Sequence, residues 1–178
     1  MMGKKDKLFL VDAECDGLYG DFITVAGLIM DANGNETDRF YYGIQKENLH
    51  VKNEWVKENV LPKLGNYTPF PNEREMLEAF WKKWITYHED AYAAGDVIYP
   101  VECRLFQKCV EINEAERSIL APYPLLDLAS ILYAKQIDPI CERIKLSDCT
   151  QNEMQHNALF DIEMTVKIWK SLGLITES

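Results

Sequence analysis

Two acidic clusters near opposite ends of the chain carry the residue types of a divalent-cation site. Asp12-Ala13-Glu14 follows the apolar run Leu8-Phe9-Leu10-Val11, and His156-Asn157-Ala158-Leu159-Phe160-Asp161 opens a strongly helical C-terminal stretch. A strand that ends in Asp-x-Glu aims two carboxylates out of the edge of a sheet. A helix bearing His and Asp can bring a third carboxylate and a titratable base to the same point. Hard cations such as Mg²⁺ take oxygen ligands of this sort, and two such ions beside a base can cleave a phosphodiester. A histidine with an unperturbed pKa of about 6.5 supplies neutral imidazole at cellular pH.

The elements needed to bring these residues together are legible in the hydrophobic pattern. Lys7 to Asp12 reads as a buried strand and Phe22 to Met30 as a second. The Asn33-Gly34 turn signal then returns the chain as a third strand, Glu36 to Tyr42, so the acids follow the first strand of an antiparallel meander. Asn53 caps a short helix through Val60, ended by Pro62, and Asn72 with Glu75 has the form of a capping box. Met76, Leu77, Phe80, Trp84 and Tyr87 recur at helical spacing behind it. A fourth strand is expected over Ala91–Val97, a helix over Val101–Val110, and a short strand Leu125–Asp127 leading into a helix through Ala134. The last helix spans Asn157 to Leu172, with Leu159, Ile162, Val166 and Trp169 on one face and Gly173 as its stop. Three strands followed by alternating helices and strands imply a mixed α/β sheet flanked by helices.

The length of 178 residues, without repeat, low-complexity tract or linker-like shift, predicts a single domain over 1–178. Residues 1–7 are polar and the apolar run after them is too short to span a membrane, so neither a signal peptide nor a membrane partner is expected. Five cysteines with no CxxC spacing argue against a disulfide framework or a zinc site and fit a cytoplasmic location. The net charge of −10 counts against a tight, non-specific duplex binder. It leaves room for an enzyme of short or single-stranded ends, where bound cations supply positive charge locally.

Asp12-Ala13-Glu14-Cys15-Asp16-Gly17 resembles the first motif of the DEDD exonucleases, usually Asp-x-Glu-Thr-Thr-Gly, and His156 to Asp161 resembles the His-x(4)-Asp third motif of their DEDDh branch. Motif order, separation and the opening meander, which is similar to the ribonuclease H-like fold, agree, and the resemblance covers almost the whole chain. It implies a 3′→5′ exonuclease that uses two Mg²⁺ or Mn²⁺ ions on single-stranded RNA or DNA 3′ ends and releases nucleoside monophosphates. It also implies a homodimer, as in several small relatives. By the same resemblance Asp12 bridges both ions, Glu14 and Asp161 complete the shell of one, Glu102 helps hold the other, and His156 is the general base. The second motif departs from the pattern: the family places an Asp where this chain offers Glu102, at the expected helix start, or Asp96, at the expected strand end. Helix-start placement favours Glu102.

Each residue also has a plainer reading. Asp12 and Glu14 can end a strand in solvent, His156 can cap a helix, and Glu102 can answer the helix dipole. Asp127 is most simply a helix cap, Asp16 and Asp21 loop acids, and the cysteines and Phe80, Trp81, Trp84 and Tyr87 core packing. The joint occurrence of the acids and His156, in order and on suitable elements, favours the enzyme over a nucleic-acid-binding module that kept the fold and lost the chemistry.

Overall fold

The computed structural model describes residues 5–147 and 155–175. Strands β1 (Lys7–Cys15), β2 (Phe22–Met30) and β3 (Glu36–Ile44) form the antiparallel meander. At the β2–β3 turn Asp31 Oδ1 accepts from the amides of Asn33 and Asn35, both at 2.9 Å, and Gly34 takes a positive φ of 79°. β1 runs past Asp12, where the sequence predicts its end. Ala13 and Cys15 continue the buried alternation begun at Phe9 and Val11, and β2 supplies ladder partners through Cys15. Asp12 and Glu14 therefore lie within the strand rather than beyond it.

Next come α1 (Glu54–Asn59), a 3₁₀ turn over Leu61–Lys63, β4 (Thr68–Phe70), α2 (Glu73–Tyr87), β5 (Ala91–Gly95) and α3 (Val101–Ile112). The remaining elements are α4 (Glu114–Arg117), β6 (Leu125–Asp127), α5 (Leu128–Ala134), α6 (Arg143–Ser147) and α7 (Ala158–Ser171). The sheet order is β4-β3-β2-β1-β5-β6, with β5 parallel to β1, β6 parallel to β5 and β4 parallel to β3. This is the mixed sheet that the sequence predicts. The strand expected over 91–97 is the fifth rather than the fourth and stops at Gly95, because the three-residue edge strand β4 precedes it. With a proline at its centre, β4 offers no alternation to read.

The two faces of β1 carry different cargo. Phe9, Val11, Ala13 and Cys15 bury against α2 and α3, where Phe80, Trp84, Leu105 and Phe106 close the core. The Phe9 and Trp84 rings meet edge-on at 5.4 Å, so the aromatic set of α2 is packing. Leu10 faces the other way, with Ala26, Leu28 and Met30, against Leu128, Leu132, Ile162, Ile168 and Trp169 of α5 and α7. Side chains alternate along a strand, so Asp12 and Glu14 share the face of Leu10 and lie under α7. Among the described residues no helix is long and apolar enough to cross a membrane. Cys15, Cys103, Cys109 and Cys141 are free, and Cys149 lies outside the described residues.

Candidate active site

The start of α7 meets the end of β1. Asp161 stands in the first turn of α7, and its Oδ2 accepts from the backbone amide of His156 at 2.9 Å. His156 adopts a positive φ of 71°, and the turn brings its imidazole against Glu14. Glu14, His156 and Asp161 each offer a ligand atom, all within 4.8 Å of one another. Asn157 fixes this geometry. Its Oδ1 caps the helix by accepting from Phe160 N at 3.1 Å, and its Nδ2 donates to the carbonyls of Lys63 at 2.7 Å and Leu64 at 3.1 Å. The His156 turn is thereby tied to the 3₁₀ turn as well as to α7.

Glu102 approaches from the other side. α3 begins at Val101, so Glu102 lies in its first turn, only 3% exposed. Gly95 makes room for it: a Cβ there would stand 3.1 Å from Val11 O and 3.4 Å from Glu102 Cγ. Its carboxylate accepts from the amides of Ala13 and of Glu102 itself, and its charge is the strongest neighbouring charge acting on Asp12. Asp96 is placed differently. Arg143 grips it in a fork, Nε to Oδ2 at 2.6 Å and Nη2 to Oδ1 at 3.0 Å, although its charge still acts on Asp12, Glu102 and Asp161. The structure thus gathers Glu14, His156 and Asp161 in one group, while Asp12 is acted on first by the charge of Glu102 and then by those of Asp161 and Glu14.

Burial is the first cause of a large upward pKa shift at four carboxylates. Asp12 rises well above the usual range, pushed further by Glu102, Asp161, Glu14 and Asp96. Glu14 rises to about 8, with Asp161 adding to burial, and Glu102 also rises to about 8 despite its amide partners. Asp161 rises to about 7 despite the His156 amide. Lys63 is the countercharge, easing Glu14 and Asp161 downward. Burial, then Lys63, lowers His156, which keeps the ring neutral at pH 7. Carboxylates crowded this closely ionise together only if positive charge is supplied. An oxygen-rich donor set with one neutral imidazole fits Mg²⁺ or Mn²⁺.

A cavity of about 350 Å³ opens beside the cluster, with Glu14 and His156 on its floor and Leu18, Trp55, Val60 and Val101 among its apolar walls. Trp55 is half-exposed and meets the His156 ring edge-on at 5.0 Å. The β1–β2 loop that carries Leu18 is held from two sides. Asp16 accepts from the amides of Lys52 and Asn53, both at 2.8 Å, and Arg104 donates to the carbonyls of Leu18, Tyr19 and Gly20 at 2.7, 3.0 and 2.8 Å. Trp55, Lys63 and Arg104 escape the sequence reading because no spacing rule connects them to the acids. Asn157 was open to recognition as a helix cap, but its hold on Lys63 and Leu64 is tertiary.

No family model matches the chain, and no curated protein matches its sequence. Solved structures do match in fold. A moderately thermophilic exonuclease I from Methylocaldum szegediense superposes with a TM-score of 0.68 at 13% identity, over 94% of this chain and 40% of that one. The zinc-bound E. coli exonuclease I–ssDNA complex gives 0.68 at 10% identity, over 96% and 41%. E. coli exonuclease I with a 5cy-dT13 oligonucleotide gives 0.66 at 11%, over 96% and 41%. The chain thus spans about two-fifths of the length of these proteins. At such identities the likeness shows the fold, the ribonuclease H-like mixed sheet of these exonucleases.

Proposed function

We propose that this chain is a metal-dependent 3′→5′ exonuclease that hydrolyses the terminal phosphodiester of single-stranded RNA or DNA and releases nucleoside monophosphates. One observation carries the proposal: residues separated by most of the chain's length meet as a cation-demanding carboxylate cluster with a neutral histidine at its edge. Asp12, Glu14, Glu102 and Asp161 are the residues that would hold two Mg²⁺ or Mn²⁺ ions. When bound, the ions supply the Lewis acidity that activates water and offsets charge on the phosphorus and the leaving oxygen. Asp12, on which the charges of Glu102, Asp161 and Glu14 all act, would serve both. His156 accepts the water proton on a ring nitrogen, and Asn157 holds it in place for that role. The Trp55–Leu18 wall offers the terminal base a surface to stack on, an interaction worth about 1–3 kcal/mol per base. Stacking on that wall needs a terminal base free of a pairing partner, which favours single strands. The net charge of −10 suits a protein that grips phosphate through bound cations rather than through a broad basic face.

The second reading, a nucleic-acid-binding module without catalysis, draws on Glu102, whose carboxylate already accepts backbone amides and so has fewer lone pairs left for an ion. A 5′-labelled single-stranded oligonucleotide separates the two. The exonuclease reading expects Mn²⁺-dependent shortening one nucleotide at a time, abolished by EDTA and by Asp12→Asn. Retention of the intact strand by wild type, with no shortening in any divalent ion, would favour the module.

A further inference from the structure

The hydroxyl of Thr24 is fully buried and makes no hydrogen bond of full geometry. A buried hydroxyl left unsatisfied costs free energy that a valine of the same shape would avoid. Its place in the sheet makes this informative. Thr24 is the direct cross-strand partner of Glu14 in the β1–β2 ladder, so the two side chains project from the same face. Cβ atoms of such pairs stand about 4.5–5.5 Å apart, within reach of a hydroxyl and a carboxylate. Further along this face of β2 the residues are Ala26, Leu28 and Met30, all apolar. Tyr41 Oη donates to Leu64 O at 2.8 Å and turns its oxygen toward Thr24, whose hydroxyl acts on it from outside full hydrogen-bond geometry, and Tyr67 Oη donates to Ile44 O at 2.8 Å. On the β3 side Thr24 meets Gly43, where an added Cβ would lie 2.8 Å from Thr24 Cγ2, so the methyl group fills that space.

We infer that Thr24 is a positioning residue for Glu14: its hydroxyl donates to the Glu14 carboxylate when that carboxylate is drawn onto a cation, and so fixes the orientation in which Glu14 ligates. A charged acceptor makes the stronger bond, and partners of this kind around a ligating carboxylate commonly set metal affinity. The inference rests on the proposed cation-binding role of Glu14.

Mn²⁺ affinity of the purified chain, measured by calorimetry beside the thermal midpoint without ion, tests it. Thr24→Val should raise the Kd for Mn²⁺ about 10-fold while the ion-free midpoint stays level or rises, and Thr24→Ser should restore the affinity. In a Glu14→Gln background the effect of Thr24→Val on Mn²⁺ should vanish. An unchanged Kd in Thr24→Val, an undiminished effect without Glu14, or a fall of the ion-free midpoint matching the loss of affinity would overturn the role of Thr24. If wild type binds no Mn²⁺, or Glu14→Gln binds it as wild type does, the ligand role of Glu14 fails first and the inference falls with it.

Discussion

Replacing Glu14 with glutamine should stabilise the ion-free protein at alkaline pH and reverse in sign once Mn²⁺ is added. Burial, then the charge of Asp161, lifts Glu14 from 4.5 to about 8. For a carboxylate whose folded pKa is raised, the associated stability is fully present below the unfolded value and is lost as pH rises through the folded one. Wild type without ions should therefore weaken between about pH 4.5 and pH 8. At about 1.4 kcal/mol per unit the full displacement sets a ceiling near 5 kcal/mol. Glu14 shares its proton equilibrium with Asp161 and keeps some contact with solvent, which reduces the realisable gain to about 2 kcal/mol. In a domain of this size that is a midpoint about 4–8 °C higher for Glu14→Gln at pH 9, with the difference gone near pH 4. Mn²⁺ at 100 times its Kd should stabilise wild type by about 2.7 kcal/mol and the variant much less, so the two melting curves change order. Differential scanning fluorimetry across pH, with EDTA or Mn²⁺, reads all of this. A wild-type midpoint that is flat with pH, or a Glu14→Gln variant less stable at pH 9 in EDTA, would refute the reasoning.

Other substitutions separate the remaining parts of the site. His156→Ala should lower kcat by about two to four orders of magnitude with little change in Mn²⁺ affinity, measured by single-turnover digestion and calorimetry. Glu102→Gln should weaken Mn²⁺ binding while fold stability without ions stays nearly unchanged at pH 7, below the value of about 8 to which burial lifts the carboxyl. Asp96→Asn should instead cost about 3 kcal/mol in urea unfolding, because it removes the countercharge of the mostly buried Arg143 guanidinium, which keeps only neutral acceptors such as Pro139 O and Cys141 O. Asn157→Ala, losing a helix cap and two bonds to the 3₁₀ turn, should cost about 2 kcal/mol in the same assay and loosen His156, lowering kcat.

How much of this could be read from the residues follows from how local each cause is. The boundaries of β2 are those read from its apolar run, and the caps Asn53, Asn72 and Asp127 sit where a side-chain oxygen meets an amide two or three residues on, whereas the cap of α7 is Asn157 and not His156. The acids of β1 and α7 could be paired because motif spacing encodes them, but their positions within β1 depended on the ladder with β2 carrying that strand on to Cys15. The choice between Glu102 and Asp96 rested on where a helix starts. What distinguishes the two in the fold is that Asp96 is held by Arg143, 47 residues away in the chain, and no local pattern announces that partner. Thr24 is likewise one polar residue in an apolar strand until the register sets it opposite Glu14. β4 and the short helices α4 and α6 were missed because three to five residues carry too little periodicity to read.

Anomalous diffraction from crystals soaked with Mn²⁺ and a nucleoside monophosphate tests the central claim most directly. The account predicts two Mn²⁺ peaks at the junction of β1, α3 and α7, with Asp12 touching both, Glu14 and Asp161 on one, Glu102 near the other and the phosphate between them. Peaks elsewhere on the surface, or an empty junction under saturating Mn²⁺, would contradict it.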